Sequence, residues 1–588
     1  MKTMMNEFLI RSTYRRFMGK MILNNLVVFL GSAVNGIVIS RFLGMEAMEA
    51  FQLTLPLVFV VMMFSQIISL GVQNNCAKSI GAGRGEEAGE YYSAAILFAL
   101  PFSLALLGIV FYEADLLVLG LGAGSADGNL AFYAAEYLRG ISFGLPLLLY
   151  LPMQISVLFL EGRSKVAIQS IFMQTAVNIL GAFANALYLE GGMFGMGMVM
   201  SLSYFTSMVV MFRGLFSHEG VIRFSCRDAV LWRIFPVFRI GLPSAVDRFY
   251  KTLQMYVINR VLLLVAPGTA LAAFADINAL NNIFNPIVMG LSATALTMAG
   301  VFAGEGDRVS LHYLFRVAVG NAFLVAFLAT LGTTLAAPLL IALFVGEAGE
   351  AFDTAVTALR IYIWYLPFHA VNNTLQKYYL GINAMKMTYL TSLLDNLLFI
   401  CVLSVALGYF FGPEGVWFSF LLAEILTTIT LVAVIIWKKG GFPLEVGDFL
   451  CLPEKFQSFL PHPFTKSATS MEEVVQISEE ARQFLLSHGE GTGKAMLMAL
   501  AIEEMGGNII HWGFREGKNH SIDVLITKGE SWSLRIRDDG VAFDPKKWLE
   551  LHREADPTKN IGIRAVCGMA EEVRYSRTMG LNYLLIRL

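Results

Sequence analysis

Between Met21 and Trp437 the chain consists of apolar runs about twenty residues long, separated by short charged segments. A helical run of that length spans the hydrocarbon core of a bilayer, where every backbone N–H and C=O must be satisfied within the segment. About twelve such helices are expected, near 21–43, 50–79, 91–112, 132–160, 166–190, 192–214, 236–266, 271–302, 312–336, 351–379, 386–410 and 414–437. Only 15% of residues are charged, against about 25% in soluble domains, and mean hydropathy is +0.62. The first run follows Arg11, Arg15, Arg16 and Lys20 without a small-residue cleavage site. It therefore reads as the first helix and not as a removed signal peptide. A net charge of −2 suggests no nucleic-acid partner. The five cysteines are scattered, with no CxxC pair, and imply no disulfide or metal framework.

The apolar runs stop at Lys438-Lys439-Gly440-Gly441, and a proline-containing stretch follows. The expected organisation is an N-terminal arm (1–20), a first lobe (21–220), a second lobe (221–440), a linker (441–463) and a soluble α/β domain (464–588). Basic residues crowd every second loop, as at Lys78 and Arg84, Arg163 and Lys165, Arg308 and Arg316, and Lys438 and Lys439. The alternate loops are acidic or neutral, as at Glu113, Asp115, Glu190 and Glu414. The positive-inside bias places both termini in the cytoplasm of a cell whose inner (plasma) membrane holds the chain.

The membrane part repeats itself. Ala-Gly-Arg-Gly at 82–85 corresponds to Ala-Gly-Glu-Gly at 303–306, an offset of about 221 residues. The same offset carries Leu138-Arg139 onto Leu359-Arg360, Pro146 onto Pro367, and Lys165 onto Lys386. With an even number of helices per repeat, two lobes related by an axis along the membrane normal are expected, with the pathway between them.

The stretches NGIVISRFLGMEAMEAFQLTLP (35–56) and GVQNNCAKSIGAGRGEEAGEYYSAAI (71–96) resemble the multidrug and toxin extrusion (MATE) antiporters. So do GLPSAVDRFYKTLQMYVINRVLL (241–263) and GPEGVWFSFLLAEILTTI (412–429). The resemblance covers nearly all of 20–438. It implies two six-helix pseudo-symmetric lobes, rocker-like alternating access, and export of organic cations driven by Na⁺ or H⁺. Lipid-linked-sugar flippases share the broader fold. Asn35 stands where many members have Asp, Lys251 about where others have Glu, and Gly181-Ala182 about where Asp-Pro is common, so the coupling site cannot be copied across.

Charges placed inside predicted helices supply other candidates, since a mid-membrane carboxylate costs about 3 kcal/mol on insertion scales. Glu424 comes first, then Asp395, Asp276 and Asp247. For Asp247 the alternative to a coupling role is a self-neutralising pair with Lys251, one turn on. Asn278, Asn282 and Asn285 form a polar stripe that, with Asn35, suits either a cavity wall or interhelical bonding.

In the soluble part, a helix carries Glu503, Glu504 and Asn508, with Glu504 and Asn508 one turn apart on the same face. Two strand-like runs (521–527 and 531–537) lead into DDGVAFDP (538–545), and NIGIRAV (560–566) and a terminal strand follow. These blocks resemble the Bergerat-fold ATPases of gyrase and the histidine kinases, and most of all the anti-sigma-factor serine kinases. The resemblance implies an α/β sandwich binding ATP and Mg²⁺. It assigns Asn508 to Mg²⁺, Glu504 to the catalytic base, Asp538 and Gly540 to adenine, and Gly562 to phosphate. It also implies a protein target of the anti-sigma-factor-antagonist type. GEGTGKA (489–495) lacks the spacing of a phosphate loop. The reading is an ion-coupled antiporter with an ATP-binding regulator. The alternatives are a membrane-anchored serine kinase using the transporter fold as sensor, and a lipid-linked substrate flippase.

Overall fold

The computed structural model describes residues 2–121, 128–215, 220–225, 230–265, 269–342, 350–441, 446–452, 463–515, 519–529, 531–552 and 561–588. The first lobe comprises α1 (Lys2–Val38), α2 (Met45–Gly81), α3 (Gly85–Tyr112), α4 (Ala114–Gly120), α5 (Gly128–Ser142), α6 (Leu145–Leu160), α7 (Ser164–Ala184) and α8 (Gly192–Leu215). The second comprises α9 (Ile234–Val265), α10 (Thr269–Glu305), α11 (Arg308–Ile341), α12 (Glu350–Tyr362), α13 (Leu366–Gly381), α14 (Met385–Leu393) and α15 (Phe399–Lys439). Residues 2–20, within the N-terminal arm expected over 1–20, are helical and form the first half of α1, packed through Leu9, Ile10, Tyr14 and Phe17.

Among the described residues eight helices are long and apolar enough to cross a membrane, or nine if the pair 129–142 and 145–160, bent by 52°, is one span. The stretch Met385–Lys439 counts once there, yet Gly412 (φ 66°, ψ −151°) and Pro413 break it where two spans were expected. The glycine adopts a backbone closed to L side chains, and the proline cannot continue the preceding ladder. α9 falls short because Asp247, Arg248 and Lys251 interrupt its apolar run.

The lobes meet closely at the end that carries the soluble domain, called proximal here. Gly71 of α2 abuts the Val237 carbonyl, Gly241 of α9 abuts that of Ile67, and Gly304 of α10 abuts that of Lys78; a Cβ at each would lie within 2.1 Å of that oxygen. Small residues at such crossings let helix backbones pack without a side chain between them. Gln73 donates to Thr297 Oγ1 at 2.7 Å and Asn74 to the Leu380 carbonyl at 2.9 Å across the same seam. One buried apolar cluster runs through the first lobe and over this seam to Tyr378 and Leu431, whereas the distal half of the second lobe has its own core around Ile258, Leu359 and Trp417.

The soluble domain is an antiparallel sheet in the order β1-β2-β3-β5-β4: β1 (Phe464–Ala468), β2 (Ile522–Lys528), β3 (Trp532–Asp538), β4 (Glu572–Thr578) and β5 (Leu581–Arg587). The helices α16 (Met471–Ser487), α17 (Thr492–Asn508), α18 (Pro545–Leu551) and α19 (Ile561–Met569) complete it. Val474, Ile477, Met498, Ile502, Leu534 and Ile536 share its core. Ser470 caps α16 by accepting from Glu473 N–H, while Glu473 reaches back to Thr469 N–H at 2.7 Å. The linker residues Val446–Leu450 form a short 3₁₀ turn packed on the second lobe, with Phe449 stacked on Phe315.

Candidate functional site

Two sites emerge, one in the sandwich and one inside the second lobe. In the sandwich, a cleft of about 390 Å³ is lined by Met505, Asn508, Trp512, Asp538, Phe543 and Asn582, among others. Helical spacing places Glu504 and Asn508 side by side, with Asn508 Nδ2 donating to Glu504 Oε1 at 3.0 Å. Glu503 turns away and accepts from Ser478 Oγ at 2.5 Å, holding α17 to α16. Asp538 Oδ1 accepts from Gly540 N–H and from Asn582 Nδ2, both at 2.8 Å. Asn582 also donates to the carbonyls of Gly540 and Val541, and Tyr575 Oη donates to its Oδ1 at 2.8 Å. Burial pushes the Asp538 carboxyl up to about 6, while the Asn582 and Gly540 bonds hold it down.

Glycine is needed twice. A Cβ on Gly540 would lie 2.8 Å from the Gly513 carbonyl, and one on Gly562 would lie 2.1 Å from Glu504 Oε2. Gly562 therefore brings the first turn of α19 directly against the Glu504–Asn508 pair. The cleft has the parts a nucleotide needs: aromatic and apolar walls for a base, a buried carboxylate for an amino group, and a side-chain carbonyl oxygen on Asn508 beside a helix N-terminus. The five sandwich residues named from the sequence come together here. Asn582 was missed, although an asparagine near the start of the largely apolar strand LNYLLIR was a visible signal.

Inside the second lobe, His369 of α13 lies between two carboxylates. Its Nδ1 is 2.7 Å from Glu424 Oε1 and 3.7 Å from Asp395 Oδ2. Ligand atoms of all three lie within 4.8 Å of one another, and all three residues are buried. Asn372, one turn along from His369, donates to Glu424 Oε2 at 2.7 Å and accepts from Thr428 Oγ1 at 2.9 Å. Asp395 sits on a π turn, Leu394–Leu398, and its Oδ1 has no hydrogen-bond partner among the described residues. The Tyr365 ring lies 5.4 Å from that of His369. Sequence reasoning missed His369, yet His369, Asn372 and Gln376 recur at i, i+3 and i+7, a polar stripe on one face of an apolar helix.

The other candidates lie apart. Asp247 is not paired with Lys251: Lys377 Nζ is 3.5 Å away, Gln376 donates at 2.7 Å, and Ser392 Oγ donates as well. The long Lys377 and Gln376 side chains reach Asp247 from α13, an element distant in sequence. Asn35 is buried and donates to Asn178 Oδ1 at 3.1 Å, so it ties α1 to α7 and does not line an open wall. Asn285 is half-buried on α10. The side chains of Asp276, Asn278 and Asn282 lie outside the described residues.

The MatE family pattern matches residues 21–187 and 243–406, more than half of the chain. The chain belongs to the MATE family. Residues 467–588 match the histidine kinase-like ATPase domain. The probable multidrug resistance protein YoeA of Bacillus subtilis (strain 168) is 22% identical over 377 residues, 60% of this chain and 77% of its own. A crystal structure of MATE in complex with MaD3S superposes with a TM-score of 0.67 at 19% identity, over 72% of this chain and 94% of that one. An outward-facing multidrug resistance MATE transporter of the MOP superfamily gives 0.66 at 19%, over the same shares. At such identities the structures show a shared fold. The protein is thus a multi-pass membrane protein joining a MATE unit to an ATPase-like sandwich.

Proposed function

We propose that the MATE unit is a secondary antiporter that exports small organic molecules, organic cations by its resemblance, in exchange for protons. The observation that carries this is the buried His369–Asp395–Glu424 group. Charged side chains inside a membrane helix bundle are costly, and they persist where an ion must be taken up and released. An imidazole between two carboxylates can pass one proton among three acceptors without moving any backbone. Asn372 turns its NH₂ toward Glu424, so a donor stands where Na⁺ would need another oxygen ligand. Protonating Glu424 weakens its hold on Asn372 and His369, which belong to α13 while Glu424 belongs to α15. Proton uptake can thereby shift one helix against another.

The sandwich serves as a nucleotide-binding regulator on the cytoplasmic side, where the positive-inside bias puts both termini. The residues present fit ATP with Mg²⁺: Asn508 would hold the metal, Asp538 the adenine amino group, and the Gly562 turn the phosphates. When bound, the nucleotide would supply a phosphoryl group. Glu504, bonded to Asn508, is placed to orient a nucleophile or accept its proton. That placement favours a second activity, serine phosphorylation of a partner protein.

Proteoliposomes holding the full chain and a fluorescent organic cation test the first reading under an imposed H⁺ gradient without ATP. The expected result is gradient-driven movement that Glu424→Gln lowers about a hundredfold while ATP binding is unchanged. Full gradient-driven movement by that variant would remove Glu424 from the mechanism.

A further inference from the structure

The sandwich sheet has two faces. Leu534 and Ile536 of β3 belong to the apolar core beneath the helices, and Asp538 on the same face lines the nucleotide cleft; Arg535 and Arg537, which alternate with them, turn toward the MATE unit. An antiparallel sheet commonly leaves this second face in water. Here it lies across the proximal ends of both lobes, and it touches the same turn of each internal repeat.

In the second lobe that turn is 303–306. Arg537 Nη1 pairs with Glu305 Oε2 at 3.2 Å, and its Nη2 donates to Ser310 Oγ at 2.8 Å and Asp523 Oδ2 at 3.1 Å, with Asp307 Oδ2 at 3.5 Å. The guanidinium is buried and also covers the Phe302 ring at 4.8 Å. Arg535 donates to the Glu305 carbonyl. The described linker residues 446–452 pack on this lobe as well, for Tyr379 Oη donates to the Phe449 carbonyl at 3.2 Å.

In the first lobe the corresponding turn is 82–85, and the contact is of a different kind. Arg574 donates to the Gly83 carbonyl, and Met579 N–H donates to the Leu160 carbonyl at 3.0 Å. Gly162 abuts Gly580, where a Cβ would lie 2.9 Å from the Gly580 nitrogen, and Leu585 fits over Gly83. These contacts between described residues end on backbone carbonyls and glycine turns, and none of them is a buried charge pair.

Alternating access by rocking requires the proximal ends of the lobes to part. A folded sheet seated on both ends opposes that. We propose that the docked sandwich is a strap holding the lobes closed on the cytoplasmic side. It stays seated on the second lobe through Arg535 and Arg537, and its grip on the first lobe must break before the cavity opens to the cytoplasm. This rests on the reading of the MATE unit as a rocking transporter.

The test uses the full chain in nanodiscs with its five native cysteines replaced, spin-labelled in pairs and read by pulsed electron resonance. One pair, at Arg84→Cys and Arg308→Cys, spans the seam. The other, at Lys494→Cys and Arg308→Cys, reports the sandwich against the second lobe. Without further change, one short seam distance is expected. Arg574→Ala, or Arg574→Ala with Leu585→Ser, should raise a longer seam population at least about fivefold and speed hydrogen exchange at the Met579 amide. The Lys494–Arg308 distance should not move. A seam already split between two distances in the chain without these substitutions overturns the strap and leaves the rocking reading intact. A seam that stays short after Met579 exchange shows release overturns both. A Lys494–Arg308 distance that broadens instead overturns the assignment of the second lobe as the fixed seat.

Discussion

His369 Nδ1 and Glu424 Oε1 lie 2.7 Å apart, 55 residues from one another in the chain, with Asp395 closing the group from a third helix. Removing the imidazole therefore leaves two buried carboxylates facing each other.

His369→Ala is expected to cost about 3–5 kcal/mol of stability, the range for breaking a buried ion pair from one side. Proton-driven flux should be lost with it. Thermal melting and proteoliposome flux check the two effects. His369→Gln, which keeps a polar group, should recover part of the stability and none of the proton coupling. Recovery of coupling would show that His369 only positions Glu424.

Nucleotide binding should depend on pH through Asp538. Its carboxyl, raised by burial to about 6, must be ionised to accept from an adenine amino group. As pH falls from 7.5 to 5.5, the ionised fraction drops about fourfold, and ATP affinity should drop with it. Because the folded-state value is raised, protonation favours the folded domain, and this group adds stability as pH falls from about 6 toward the usual value near 4. Binding weakened about fourfold at pH 5.5 without a fall in melting temperature is the expected pattern, and titration calorimetry beside melting curves would show it.

Asn582→Ala removes the donors that Asp538 Oδ1 and the Gly540 and Val541 carbonyls share. A loss of about 1–3 kcal/mol in domain stability is expected. The carboxyl, deprived of one donor, should rise further, so that ATP binding fails at a higher pH than in the unaltered chain. An unchanged pH midpoint would separate Asn582 from Asp538.

Gly562→Ala places a methyl group 2.1 Å from Glu504 Oε2, so the first turn of α19 must move off the Glu504–Asn508 pair. ATP affinity should fall about tenfold or more, the equivalent of roughly 1.4 kcal/mol. Asn508→Ala should give a similar loss from the metal side, and combining the two should cost less than their sum, because both act on one contact.

The sequence carried whatever depends on neighbours along the chain. Apolar run length marks spans, because a bilayer imposes one length on every helix. Gly412-Pro413 marks a break, because backbone geometry is local. Glu504 and Asn508 share a face by helical spacing alone, and the repeat of 82–85 at 303–306 was readable as a pattern. Tertiary structure decided the partners. Lys377 and not Lys251 neutralises Asp247, since its side chain reaches across from α13, a helix that local spacing does not connect to Asp247. His369 completes the buried acid group, and Asn582 holds Asp538, through contacts between elements that no periodicity connects. Arg537 reads on paper as one more charge on an edge of alternating strand residues. Only the docking of the sheet on the second lobe buries it against Glu305, because desolvation and pairing are properties of where surfaces meet.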